Sequence, residues 1–182
     1  DIRANLNGTG HDQAFIYDTH GNANARASIN EVVVSGGMRK APTLVSGFNT
    51  ATLVGGIGNQ LIRIVDSAFD DLFSASETVL TASERGASSP YLTVQGYRRI
   101  EVDAVMGGTD EAIIYDSEFA DILDADVDEI EFRLGEDQAT RIVFREFESI
   151  QADGSRKGGN TRDVTDAGGD PAWLSFLGGW ED

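Results

Sequence analysis

Ala14-Phe15-Ile16-Tyr17-Asp18-Thr19, Ile62-Arg63-Ile64-Val65-Asp66-Ser67 and Ala112-Ile113-Ile114-Tyr115-Asp116-Ser117 are three versions of one phrase. Their Asp positions lie about 50 residues apart, the interval of a repeat architecture. A second block keeps the same phase: Val45-Ser46-Gly47-Phe48, Val94-Gln95-Gly96-Tyr97 and Phe144-Arg145-Glu146-Phe147. Three residues beyond each aromatic stands Ala51, Ile100 or Ile150, and the glycine pairs Gly55-Gly56 and Gly107-Gly108 follow, with Asp153-Gly154 in the third copy. Two blocks recurring in one phase define a single repeat domain, 1–154, with units at about 8–56, 57–108 and 109–154.

Within a unit the apolar runs are short and rich in β-branched and aromatic residues, as in Phe15-Ile16-Tyr17, Val32-Val33-Val34, Thr43-Leu44-Val45 and Thr52-Leu53-Val54. Such runs, separated by Gly-Gly, Gly-Asn and Asp-Ser pairs, read as strands joined by turns. Asp66 to Ala82 has a partly helical spacing at Phe69, Leu72, Phe73 and Leu80, but the alternation of Asp124, Asp126 and Asp128 with Ala125 and Val127 in the third copy favours strands throughout. Four strands per unit, three times over, predict an all-β chain folded as a right-handed β-solenoid, with a β-trefoil-like fold or a β-sandwich as the alternatives. The opening strands are apolar on both faces, Ala14 and Ile16 against Phe15 and Tyr17, which predicts cover on both sides.

Composition narrows the functional classes. The 182 residues include 40% apolar side chains, too many for a disordered chain, and no run reaches the ~20 apolar residues of a membrane span. Fourteen Lys and Arg against 31 Asp and Glu give a net charge of -17, which repels nucleic acid and anionic lipid, so neither nucleic-acid binding nor membrane insertion is expected. Zero cysteines exclude disulfides, thiolate zinc sites and cysteine nucleophiles. An acidic, Cys-free, Gly- and Asp-rich chain fits an extracellular or cell-surface bacterial setting. The opening DIRANLNGTG has no basic or apolar leader pattern and reads as part of a longer protein.

The phrase Thr109-Asp110-Glu111-Ala112-Ile113-Ile114-Tyr115-Asp116-Ser117, with Asp121 four residues on and Gly10 to Thr19 as its first-unit version, resembles tandem repeats of very large secreted bacterial surface proteins. The resemblance spans about residues 7–152; Thr19 and Val65 depart from it. It implies a structural or adhesive role beside β-helical modules, with no activity attached to the repeat. A more distant resemblance links Asn7 to Phe15 and Gly55 to Arg63 with Gly/Asp calcium nonapeptides of the RTX type, although Gln60 stands where that pattern has its Asp. The calcium sites of that family do not carry over as a set.

Calcium takes six to eight hard oxygen ligands and is the cofactor that suits this composition. The candidate ligands are Asp66, Asp70 and Asp71 with their third-unit equivalents Asp116 and Asp121. The competing reading has Asp66 and Asp116 capping turns, with the later acids exposed. Asp124-Ala125-Asp126-Val127-Asp128 imitates the start of an EF-hand loop but lacks its glycine and closing glutamate, and reads as an exposed acidic strand face. No catalytic constellation is recognisable, and His11 and His20 fall in first-unit turns without counterparts in the other copies. Tyr91, Tyr97, Arg98 and Arg99 are candidates for a glycan groove, against the reading that Tyr97 fills the core slot of Phe48 and Phe147.

Residues 155–170 read as a Gly-rich linker, and 171–182 as an apolar tail carrying Trp173, Phe176 and Trp180, either capping the solenoid or docking a partner subunit. The sequence therefore predicts a non-catalytic extracellular structural or adhesion module, with calcium as a candidate stabiliser. The alternative is a carbohydrate-binding or polysaccharide-active β-helix domain. Expected partners are other subunits, the rest of a larger chain, and glycans.

Overall fold

The structure, a computed structural model, describes residues 2–5, 12–18, 22–37, 41–56, 58–155, 159–164 and 171–181. The chain is 59% strand and forms a β-solenoid of about four turns. Its course passes back and forth between two sheets. Strands β1 (Ile2–Asn5) and β2 (Gln13–Asp18) lie antiparallel in the first sheet. The chain crosses to the second sheet for a three-strand meander, β3 (Ala23–Ser28), β4 (Glu31–Gly36) and β5 (Thr43–Ser46), and returns beside β2 as β6 (Thr50–Gly55). The second unit reverses the assignment. Its opening strand β7 (Leu61–Val65) lies in the second sheet, its meander β8 (Asp71–Ala75), β9 (Val79–Glu84) and β10 (Leu92–Gln95) in the first, and its closing strand β11 (Arg99–Asp103) in the second. The third unit restores it, with β12 (Glu111–Tyr115) and β16 (Ser149–Gly154) in the first sheet and β13 (Ile122–Ala125), β14 (Glu129–Leu134) and β15 (Thr140–Arg145) in the second.

Each unit therefore has five strands rather than the expected four, because the meander is a full three-strand ribbon. Among the described residues the strands of consecutive units pair in parallel ladders, β3 on β7 and β6 on β10, then β8 on β12 and β11 on β15. These ladders align inward side chains in columns. Ala25, Ile62, Ile100 and Ile142 form one, and Ala27, Ile64, Val102 and Phe144 its neighbour, all at most 4% exposed. Burying each Ile, Val or Phe contributes about 1.5–3 kcal/mol, which makes these columns the main source of cohesion between units.

The premise of double-sided cover is corrected. Ala14 and Ile16 point inward, whereas Phe15 and Tyr17 are 39% and 42% exposed on the outer face. The Gly-aromatic block marks the corner before each closing strand. Gly47, Gly96 and Glu146 all adopt positive φ, which turns Phe48, Tyr97 and Phe147 into the core. Tyr97 thus occupies the core slot. The acidic stretch 124–128 is a hairpin end rather than a strand face: Asp126 to Asp128 turn between β13 and β14, closed by the Asp126 N–H donating to the Glu129 carbonyl at 2.8 Å.

The stretch expected to be a linker supplies a further strand, β17 (Asn160–Asp163), parallel to β13. Asn160 is buried with its side chain bonded inward, and this anchorage is what its polar, Gly-rich setting concealed. The tail adds β18 (Leu174–Gly178) on β16 and β19 (Trp180–Glu181) on β17. Trp180 meets Phe132 edge-on at 6.3 Å and Arg162 lies 4.4 Å over the Phe176 ring, so the apolar tail packs on its own last coil.

The two outer faces differ. On the second sheet Glu101, 3% exposed, is bracketed by Arg63 and Arg99 at 2.9 and 2.8 Å. Beside it Arg145 reaches Glu129 and Asp103, and Arg133 and Arg141 both reach Glu131. Burial works to raise the Glu131 carboxyl, but the two guanidinium groups prevail and hold it below the usual carboxylate range. On the first sheet Thr52, Thr93, Thr81 and Ser74 form an uncharged outer row across four strands.

Candidate functional site: a buried carboxylate cluster

The Asp-Ser phrase at the end of the second and third opening strands is a corner device. Asp66 accepts the Val105 and Met106 N–H groups at 3.0 Å, fastening the corner to the loop that closes its own unit. Asp71 accepts the Ser67 N–H at 2.7 Å, and Ser67 Oγ accepts the Phe69 N–H at 3.1 Å. The third unit repeats this, with the Ser117 N–H donating to Asp121 at 2.6 Å and the Phe119 N–H to Ser117 Oγ at 3.1 Å. The four-residue reach suits a carboxylate folding back over a tight turn.

A third residue completes each corner, and it comes from the start of the next opening strand, where Asp110 and Asn160 are equivalent. Asp110 Oδ1 accepts the Asp71 N–H at 2.9 Å, and Asn160 Oδ1 accepts the Asp121 N–H at 3.1 Å. The two corners then diverge. In the third unit the Asn160 amide donates to Asp116 at 3.1 Å, while Asp121 Oδ1 accepts Ser117 Oγ at 2.7 Å and the Gly135 N–H at 3.0 Å. In the second unit Asp110 has no amide to give, and Asp66, Asp71 and Asp110 converge with ligand atoms within 4.8 Å of one another. The Arg85 N–H, which holds the place of the Gly135 N–H, goes to the Asp70 carbonyl instead, and Asp71 Oδ1 is left buried without a partner. The Tyr91 hydroxyl is likewise buried with no partner within hydrogen-bond distance, and it interacts with Asp71 and feels the charge of all three carboxylates.

The electrostatics follow from this crowding. Burial, with the neighbouring Asp66 and Asp71 charges, pushes the Asp110 carboxyl up to about 6 against the pull of the Asp71 N–H. Burial also raises Asp66, with the Met106 and Val105 N–H groups opposing. Burial and the Asp71 charge push the Tyr91 hydroxyl far up, keeping it a proton donor.

Of the expected ligands, Asp66 and Asp71 meet here, and Asp116 and Asp121 meet in the separate third-unit corner. Asp70 is exposed and accepts the Thr109 N–H at 2.9 Å, so it stays outside both clusters. Asp66 caps not its own turn but the loop at Val105 and Met106, 39 and 40 residues on, and the exposure that the turn-capping reading gave the later acids fails for Asp71 and Asp121, both fully buried. Asp110, Asn160 and Tyr91 were missed. Asp12, Gln60, Asp110 and Asn160 recur in phase just before the opening strands, and that recurrence is the signal that would have found them. Arg98 and Arg99 line a surface groove of about 450 Å³ with Asn24, Asn59 and Arg141. Trp173, Phe176 and Trp180, candidates for partner docking, pack against the core cluster. His11 and His20 lie outside the described residues.

Fold and corners together define a β-solenoid repeat protein. Comparison with family models, curated proteins and solved structures finds no match to the chain. Among the described residues no helix is long and apolar enough to cross a membrane.

Proposed function

We propose that the chain is a non-catalytic structural and adhesive module, a spacer within an extracellular or cell-surface protein. The observation that supports it most is the interlocking of units: each places strands in both sheets and joins the next through parallel backbone ladders. Such a stack extends by repetition, and five strands shared between two sheets advance it by about 12 Å per unit at the ordinary strand spacing. The Asp corners, bonded to backbone N–H groups, serve that stacking. Its partners are then the remainder of a larger chain or neighbouring subunits. Small-angle scattering from this chain and from versions with one and two added internal units tests the reading. A rod lengthening by about 12 Å per unit is expected, and a length independent of unit number, or hydrolysis of a polysaccharide by the purified chain, overturns it.

A second reading, binding of an acidic glycan, is favoured by the groove in which Arg98, Arg99 and Arg141 stand beside the amides of Asn24 and Asn59. Guanidinium groups pair bidentately with carboxylates, so a uronic-acid polysaccharide is the fitting probe. Equal retention of the native chain and an Arg98→Ala/Arg99→Ala variant on a polygalacturonate affinity gel removes this reading.

A further inference from the structure

We propose that Asp66, Asp71 and Asp110, with the Tyr91 hydroxyl, form a single calcium site in the second unit, and that the equivalent third-unit corner is a metal-free version of it closed by Asn160. Three side-chain carboxylates meet in a space where every pair of ligand atoms lies within 4.8 Å, the span of oxygens around one cation at calcium distances of about 2.3–2.6 Å. All three residues are at most 2% exposed. A buried carboxylate cluster without countercharge is costly, and the charged groups acting most strongly on Asp110 are all anions: Asp66, Asp71 and Glu148.

Two features beyond acidity point to a ligand. Asp71 Oδ1, on a residue with no exposed surface, has no partner within hydrogen-bond distance, and Tyr91, 7% exposed, turns a hydroxyl equally without one toward the same carboxylate. Buried polar atoms in native proteins are satisfied by protein, water or ion, and one cation between these two would satisfy both. The chain also contains the control. In the third unit the same backbone corner satisfies Asp116 and Asp121 with the Asn160 amide, Ser117 Oγ and the Gly135 N–H, and that corner asks for no cation. Asp at 110 in place of Asn, together with the Arg85 N–H turned to the Asp70 carbonyl, makes this corner an open ligand set. Asp66 also lines a surface cavity of about 440 Å³ with Ser67, Phe69 and Met106, a route for the ion. Because Asp66 and Asp110 belong to successive opening strands, the ion would tie the second unit to the third.

The test compares the native chain, Asp110→Asn and Asn160→Asp by calorimetric calcium titration and by thermal unfolding at pH 7.5, in EDTA and in calcium at a hundredfold excess over Kd. The native chain is expected to bind one calcium and melt about 5–10 °C higher with it. Asp110→Asn should lose that shift while melting no lower than the native chain in EDTA, since it removes one buried carboxylate and offers Asp66 the amide that Asn160 gives Asp116. Asn160→Asp should bind a second calcium. Native protein that neither binds calcium nor shifts, or an Asp110→Asn variant that retains the shift, overturns the proposal. Circular dichroism confirms that each variant keeps its strand content, so a misfolded protein is not counted as a lost site.

Discussion

Phe147 links the second unit to the third, and its removal gives a measurable account of that link. The ring meets Phe73 edge-on at 5.4 Å and Phe144 at 5.2 Å. Phe73 stands on β8, while Phe144 belongs to β15 and meets Phe132, which in turn meets Trp180, so one file of rings runs from the middle of the solenoid to its tail. Phe147→Ala removes a side chain only 8% exposed, a transfer loss of about 2–3 kcal/mol. Two edge contacts add about 1 kcal/mol each beyond the area term. The void opens toward a surface cavity already lined by Val127 and Trp173, so water can enter and the penalty for an empty hole is small. The expected cost is about 4 kcal/mol, a large share of the ~5–15 kcal/mol available to a domain. With an m-value near 2 kcal/mol per molar urea, the unfolding midpoint should fall by about 2 M. Phe147→Leu keeps most of the burial and should cost about 1–2 kcal/mol, and a cycle with Phe73→Leu should show coupling near 1 kcal/mol. A loss below about 1.5 kcal/mol for Phe147→Ala, or no coupling to Phe73, would refute the view that this file of rings joins the units.

Three other perturbations probe the corners. Glu146 is exposed with φ 61 where the other units have Gly47 and Gly96, so Glu146→Gly should gain about 0.5–1 kcal/mol in urea unfolding, the relief of left-handed strain less the entropy of glycine. A Cβ on Gly108 would lie 2.3 Å from the Phe69 carbonyl, whereas one on Gly47 meets nothing within 4 Å. Gly108→Ala should therefore cost more than about 3 kcal/mol and Gly47→Ala about 1–2, and equal losses would show that the backbone approach at Gly108 is unimportant. In chelator, the Asp110 carboxyl at about 6 binds a proton in the folded protein that an ordinary aspartate, near 3.8, would release on unfolding. Its contribution is present in full below about pH 4 and is lost as pH rises through about 6. The difference in unfolding midpoint between the native chain and Asp110→Asn should thus widen from pH 5 to pH 7.5 in favour of the variant; a constant difference would contradict the assignment.

The strands, the repeat and its corners were legible because each depends on residues close in sequence. Ala14-Phe15-Ile16-Tyr17 alternates, and Gly47-Phe48 marks a turn whichever sheet receives it. Which sheet receives it depends on counting strands, and Val32-Val33-Val34 with Thr43-Leu44-Val45 disclosed two members of a meander while Ala23-Asn24-Ala25-Arg26-Ala27, small and polar in alternation, hid the third. The carboxylate cluster was half legible. Asp66 and Asp71 sit in one phrase, but Asp110 reaches them across a parallel ladder from the following unit, a relation that exists only once β8 and β12 are paired. Asn160 was harder still, since Gly158-Gly159-Asn160-Thr161 has the composition of a linker, and what anchors Asn160 is a buried amide bonded to a residue 44 positions earlier.

The exchange of sheets between consecutive units has a consequence for any longer array of them. An outward residue kept in every copy, such as the one at Tyr17, Val65 and Tyr115, emerges on opposite sides of the rod in turn. Like surfaces therefore recur only every second copy, about 25 Å apart, and the two sides are free to diverge, one into an ionic lattice and the other into a hydroxyl and aromatic plane. Gain or loss of a single copy by recombination would rotate everything beyond it by half a turn, exchanging the sides that all later copies present. Copies gained or lost in pairs would change length alone.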